Sequence, residues 1–267
     1  MPIVKLKNLN IHYQERGSGR DHLLLLMGLG APGDLWEKHV QCLEQKFHCI
    51  IVDNRGAGKS DAPKGNYTTK MMADETIELL DFLHIEKIKV AGISMGSAIA
   101  QELAIHNPNR VKSLLLISSW SRSTPFLKEL VTHFAEVRRQ VSPVLFTKLL
   151  QLWIYGPLFF KTSRDVLLEA RHEAQVNPGM KQDAYESQCH ACITHDTFAR
   201  LPQIKAPCLL TVGSEDIFTP PSASLEMLEQ LPNAKLELFE DSGHCHHWED
   251  LERFNAIALE FLGENLK

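Results

Sequence analysis

The chain has 267 residues, 44% of them hydrophobic, with 28 Lys and Arg against 33 Asp and Glu for a formal net charge of −5. That is enough apolar material for one large α/β domain, or a domain with an insertion, and it excludes an intrinsically disordered chain. The mild acidity, with no Lys/Arg block, excludes a basic footprint for nucleic acid, and the longest apolar run, residues 23–29, is far too short to span a bilayer.

In chain order, residues 4–6 and 10–13 alternate apolar and polar positions and predict an antiparallel hairpin. Leu23-Leu24-Leu25-Leu26-Met27 predicts a buried strand ending in Gly28-Leu29-Gly30, and Cys49-Ile50-Ile51-Val52 another ending in Asp53-Asn54-Arg55-Gly56. Residues 87–91 read as a strand that feeds Gly92-Ile93-Ser94-Met95-Gly96, with a helix over 97–104 and a further strand over 111–118. From residue 121 to 200 no buried strand appears, and the segment reads as several helices broken by Pro125, Pro143, Gly156-Pro157 and Pro178-Gly179. The sheet resumes over 208–212 and 236–239, and a final helix covers 251–262.

Alternating strands and helices predict an α/β fold with a mostly parallel central sheet flanked by helices. The helical insertion after the sixth strand predicts a cap, dividing the chain into a core of residues 1–120 and 201–267 and a cap of 121–200. In open α/β sheets ligands bind beyond the carboxyl ends of the strands, where such a cap would sit. Its aromatic content exceeds what a solvated lid needs, so part of it packs the cap onto the core and part lines an apolar pocket. Trp120, Trp153 and Phe218 are the expected pocket residues.

Gly92-Ile93-Ser94-Met95-Gly96 at a strand-to-helix junction is the pattern of a nucleophile elbow, a serine held on a strained turn beside a helix N-terminus. A serine hydroxyl is a weak nucleophile at neutral pH and needs a base with a third group to orient it, expected here in the order Ser, Asp/Glu, His. The strand ending at Ser118 offers no carboxylate. The next is followed by Gly213-Ser214-Glu215-Asp216, where the shorter Asp216 locks an imidazole more rigidly than Glu215. After the last strand, Gly243-His244-Cys245-His246-His247 offers three histidines, and His244 is favoured because Gly243 lets the backbone turn it toward the sheet ends. His246 and His247 are expected beside the final helix or in solvent. The oxyanion of a tetrahedral intermediate calls for two donors, expected to be the backbone N–H groups of Met95 and Leu29.

Two decoys are set aside. Gly58-Lys59-Ser60 ends like a phosphate-binding loop, but that motif wants glycine where Asp53 stands. Cys189-His190-Ala191-Cys192 with His195 lacks a second ligand pair, so no metal and no cofactor are expected. The six cysteines are scattered, and those at 42, 49 and 208 are expected as reduced core thiols. No secretory h-region opens the chain, so the expected location is the cytoplasm, as a monomer or homodimer.

With these residues placed, the chain resembles the α/β-hydrolase fold superfamily over nearly its whole length. The resemblance rests on Met27-Gly28-Leu29-Gly30, residues 53–61, the elbow, Gly213-Ser214-Glu215-Asp216 and Ser242-Gly243-His244. It implies that Asp53 and Arg55 are structural. A serine at the elbow is unlike haloalkane dehalogenases and epoxide hydrolases, which place aspartate there. Among serine members the chain is most similar to the capped group of β-ketoadipate enol-lactonases, aminoacrylate hydrolases, carboxylesterases and anthracycline methylesterases. It departs from them in having Met27 where histidine is common. The resemblance implies hydrolysis of a small-molecule ester or lactone. Two alternatives stand beside it: C–C hydrolysis, lyase or perhydrolase chemistry on the same scaffold, and a ligand-sensing protein that keeps the triad.

Overall fold

A computed structural model of the chain describes residues 2–177 and 179–264. Eight strands, β1 (Ile3–Lys5), β2 (Asn10–Arg16), β3 (Asp21–Leu26), β4 (Phe47–Val52), β5 (Ile88–Ile93), β6 (Val111–Ile117), β7 (Cys208–Gly213) and β8 (Ala234–Phe239), form one sheet in the order β1-β2-β4-β3-β5-β6-β7-β8. The strands from β3 to β8 run parallel to their neighbours, while β1 pairs antiparallel with β2, and β2 with β4. The helices are α1 (Glu37–Leu43), α2 (Thr69–Phe82), α3 (Met95–His106), α4 (Pro125–Gln140), α5 (Pro143–Ile154), α6 (Pro157–Thr162), α7 (Arg164–Val176), α8 (Gln182–Thr194), α9 (Pro221–Gln230), α10 (His246–Glu249) and α11 (Leu251–Gly263).

The two-residue period of a strand explains the layering. Leu24, Leu26, Ile50, Val52, Val90, Leu114, Leu116 and Leu210 pack on one face with α2, α3 and part of the α4–α8 segment. Leu23, Leu25, Cys49, Ile51, Ala91, Leu115, Ile117 and Leu209 pack on the other against Trp36, Val40 and Leu43 and against Phe254, Ala258 and Leu262 of α11. Burial on both faces is why these strands read as continuous apolar runs and not as alternating ones.

Five helices, α4–α8, stand between β6 and β7. The segment is broken into helices at Pro125, Pro143 and Pro157, as expected, and each of these starts the helix that follows. Pro125 and Pro143 occupy first-turn positions behind Thr124 and Ser142, whose side chains accept from Leu127 N (3.2 Å) and Leu145 N (3.3 Å). Pro157 also stands in a first turn, behind Gly156, which makes no side-chain cap. The first turn is where the missing proline N–H costs nothing. Pro178, another expected break, lies outside the described residues.

All six cysteines are free, and Cys42 is half-buried where a core position was expected. Cys189 and Cys192 share a buried turn of α8, and among the described residues no three His, Cys, Asp or Glu side chains are grouped to hold a metal ion. No helix among them is long and apolar enough to cross a membrane.

Buried histidines make the fold acid-sensitive. Burial holds His39 down to about 4 and His195 and His246 to about 3, and pushes His247 well below its ordinary value. These groups are neutral in the fold but take protons in the unfolded chain below pH 6.5. Their contribution is therefore complete above that pH and is lost as pH falls toward 3–4. Glu75 and Glu249, raised by burial to about 7, act oppositely and penalise the fold as pH rises from about 4.5 to 7. At about 1.4 kcal/mol per unit His39, His195 and His246 outweigh the two glutamates, His247 acts in the same direction, and a net loss of roughly a few kcal/mol is expected between pH 7 and 4. Urea unfolding across that range reads it directly; a flat profile contradicts it.

Candidate active site

The carboxyl ends of β3–β8 lie along one edge of the sheet, and the loops that leave them carry every residue expected to act. Ser94 follows β5 with φ 52° and ψ −116°. Such a backbone costs a side-chain-bearing residue on the order of 1–3 kcal/mol and persists only when its surroundings impose it. Here Ser94 N–H donates to Ile117 O of β6 (2.8 Å), and Ser94 O accepts from Ser97 N (2.8 Å) and Ser97 Oγ (2.6 Å). A Cβ on Gly92 would lie 2.4 Å from Gly96 O, and one on Gly96 2.2 Å from Leu26 O. Both obstacles are backbone, so only glycine lets β5 turn into α3 while α3 seats against the end of β3. Met95 opens α3, where an amide has no carbonyl one turn back to bond.

The loop after β3 passes beside the serine. A Cβ on Gly28 would stand 3.3 Å from Ser94 Cβ. Neither Leu29 N–H nor Met95 N–H donates to any hydrogen bond found among the described residues.

Asp216 and His244 meet at the ends of β7 and β8. His244 Nδ1 lies 2.9 Å from Asp216 Oδ2, with both side chains buried. Asp216 Oδ1 accepts from Phe218 N (2.9 Å) and Thr219 N (2.8 Å). Burial alone would raise Asp216, but His244 and the donors of Thr219 hold it below the usual carboxylate range. An ionised Asp216 fixes the proton of a neutral His244 on Nδ1 and leaves Nε2 as an acceptor. No hydrogen bond joins Ser94 Oγ to His244 Nε2 among the described residues. The two are tied through β6: Ile117 O takes the Ser94 amide, and the next residue's hydroxyl, Ser118 Oγ, donates to His244 O (2.6 Å). Catalytic hydrogen bonds commonly tighten only when substrate binds.

Of the expected pocket residues, Phe218 is closest to this pair, its ring 5.0 Å from that of His244 and stacked on Phe134 at 5.8 Å. Trp153 meets Phe134 edge-on at 6.0 Å. Trp120 meets His195 edge-on at 5.8 Å, and its carbonyl takes the Gln101 amide (3.0 Å). His246 and His247 pack against Phe254 of α11. Asp53, the residue that rules out a phosphate loop, faces His12 Nδ1 (2.7 Å) and accepts from Gly33 N (2.7 Å) and Lys59 N (2.9 Å). Its own carboxylate thus fills the place an anion would take.

Two residues near the pair carry contacts that the sequence reading did not reach. Thr219 Oγ1 lies 2.9 Å from Asp216 Oδ2 and 3.1 Å from both His244 Nδ1 and Ser118 O. The spacing Asp-x-x-Thr, an aspartate capping amides two and three residues on, is the local signal that marks it. Glu249 accepts from Gly243 N (2.9 Å) and Gly156 N (3.0 Å), tying the α5–α6 junction to the loop that carries His244.

A serine at the β5–α3 turn, a mostly parallel sheet with this strand order and an acid–histidine pair on the loops after β7 and β8 point to one class. A profile of the alpha/beta hydrolase fold matches residues 21–251, and the chain belongs to that family. It is 28% identical over 246 residues to a protein of Caulobacter sp. (strain K31) with the provisional name carbamate hydrolase RutD, covering 92% of this chain and 91% of that one. It is 29% identical over 270 residues to the 2-hydroxy-6-oxononadienedioate/2-hydroxy-6-oxononatrienedioate hydrolase of Paraburkholderia phymatum, covering 96% and 92%. Among solved structures, MGS-M2, an alpha/beta hydrolase enzyme from a Medee basin deep-sea metagenome library, superposes with a TM-score of 0.92 at 25% identity, covering 100% of this chain and 98% of that one. The enol-lactonase of Burkholderia xenovorans LB400 shares the fold with a TM-score of 0.89 at 24% identity, covering 98% and 100%. The chain is a hydrolase.

Proposed function

We propose that the protein is a serine hydrolase of small-molecule carboxylic esters or lactones, acting through an acyl-enzyme on Ser94. The observation that carries this reading is Ser94 itself, held on a strained turn at the head of α3 and beside the Gly28 loop. Ser94 Oγ attacks the substrate carbonyl carbon while its proton passes to His244 Nε2, and Asp216 keeps the Nδ1 proton in place. The oxyanion takes the amides of Leu29 and Met95. His244 returns the proton to the leaving oxygen as the carbon–oxygen bond breaks. Water then attacks the acyl group with His244 again as base, which frees the acid and restores Ser94. Residues 121–200 form a cap over this centre in the proposal, and residues 1–120 and 201–267 form the core. Phe218, Trp153 and Trp120 contribute apolar surface.

A fluorophosphonate label, mapped to its residue, and a panel of p-nitrophenyl esters, lactones, carbamates and a vinylogous diketone test the reading. Label on Ser94 with turnover of an ester or lactone is expected; label on another residue, or none, overturns it. The relative from Paraburkholderia phymatum, by its name, favours C–C hydrolysis as the second reading. Turnover of the diketone alone would establish that one instead.

A further inference from the structure

The loop that carries the Leu29 amide is fastened by three side chains. Asn54 Nδ2 donates to Met27 O (3.0 Å), and Asp53 Oδ1 accepts from Gly33 N (2.7 Å), both from the segment after β4. The third is Gln188, on α8 and 158 residues away, whose Oε1 accepts from Gly30 N (2.8 Å). Gln188 Nε2 donates to Arg55 O (2.8 Å), and the side chain is fully buried. With a donor on one side and a carbonyl on the other, the orientation of this amide is fixed. One turn earlier, Tyr185 closes over Gly30, where a Cβ would meet its ring at 2.9 Å.

Peptide planarity gives these bonds their consequence. The Leu29 N–H belongs to the Gly28–Leu29 peptide. Asn54 holds the peptide before it through Met27 O, and Gln188 holds the peptide after it through Gly30 N–H. Only the torsions of Gly28 and Leu29 separate the two held planes. Free of either anchor, the Leu29 peptide swings about glycine torsions at Gly28 and at Gly30, whose φ is +75°.

We propose that Gln188 is a positioning residue that aims the Leu29 amide at the developing oxyanion, so that α8 completes the oxyanion hole as well as covering it. This rests on Ser94 being the nucleophile. The contribution belongs to the transition state, because the amide is needed most where negative charge appears.

Gln188→Met keeps length and volume and removes both hydrogen bonds. Losing a whole oxyanion donor costs about 10²–10³-fold, and a misdirected one is expected to cost about 10–100-fold in kcat and in the rate of fluorophosphonate labelling. KM should stay within about threefold, and affinity for a phenylboronate, which forms a tetrahedral adduct on serine, should fall in parallel with kcat/KM. Gln182→Met, on the same helix with its amide on Ala135 O (2.9 Å), should leave all of these within about threefold of wild type. Gln188→Glu supplies an independent reading should the methionine variant not fold. Protonated, it reproduces both bonds, and ionised it repels Arg55 O, so its rate relative to wild type should fall as pH rises. Wild-type labelling of Ser94 with equal labelling of Gln188→Met overturns this proposal alone, as does a loss confined to KM or a Gln188→Glu ratio flat in pH. Absence of wild-type labelling overturns the nucleophile and this proposal together.

Discussion

Ser94→Ala is expected to lower turnover of the best ester by about 10⁵–10⁶-fold while leaving the cooperative unfolding transition intact. The hydroxyl is the only group on the elbow that can form the acyl bond. Its neighbours' amides are left in place by the substitution, so what survives is polarisation of a bound carbonyl and nothing covalent. Fluorophosphonate labelling should vanish with it. Residual activity above about one per cent of wild type would mean that another residue attacks.

The same position makes a second, separable statement about stability. Alanine inherits the φ of 52° and the strain that goes with it, whereas glycine adopts that backbone freely. Ser94→Gly should be as inactive as Ser94→Ala yet more stable than it by about 1 kcal/mol, after allowing for the greater freedom of glycine in the unfolded chain. For a domain of this size that is roughly 2–4 °C in Tm. Equal melting temperatures for the two variants would show that the turn carries no net strain.

The elbow, Asp216 and His244 were legible because each is signalled by its immediate neighbours. Glycines that permit a backbone crossing, a strand end and a glycine before a histidine are all local. The sheet was legible for a related reason: strands buried on both faces read as uninterrupted apolar runs. Residues 121–200 were legible as helices but not as contacts. Periodicity gives a helix its apolar stripe without saying what the stripe will meet, so Tyr185 and Gln188 on Gly30, or Glu249 joining Gly156 to Gly243, stayed invisible. The prolines mark breaks between helices, as read, and each stands in the first turn of the helix that follows: Pro125 and Pro143 behind the capping side chains of Thr124 and Ser142, and Pro157 behind Gly156. The ring contact of Trp120 with His195, edge-on at 5.8 Å, is likewise one that residue type alone does not name.

Asp216→Asn is the other variant expected to have a very large effect, about 10⁴-fold in kcat with KM little changed. The reason is the fixed polarity of the Asp216 environment. Its Oδ1 accepts the Phe218 and Thr219 amides at 2.9 and 2.8 Å, two donors that cannot be reversed. Asparagine must therefore keep its oxygen on the turn and present its NH₂ to His244 Nδ1 and Thr219 Oγ1. Thr219 adapts by giving its proton to Ser118 O, 3.1 Å away, and accepting from the new amide. His244 adapts only by moving its own proton to Nε2, which turns the nitrogen proposed to take the Ser94 proton from acceptor to donor and removes the base. The turn keeps its hydrogen bonds and the ring keeps its place, so the fold should survive and the loss should appear in catalysis. Steady-state kinetics with thermal melting decides it. A loss under tenfold, or one expressed mainly in KM, would mean that Asp216 serves the loop and not the imidazole.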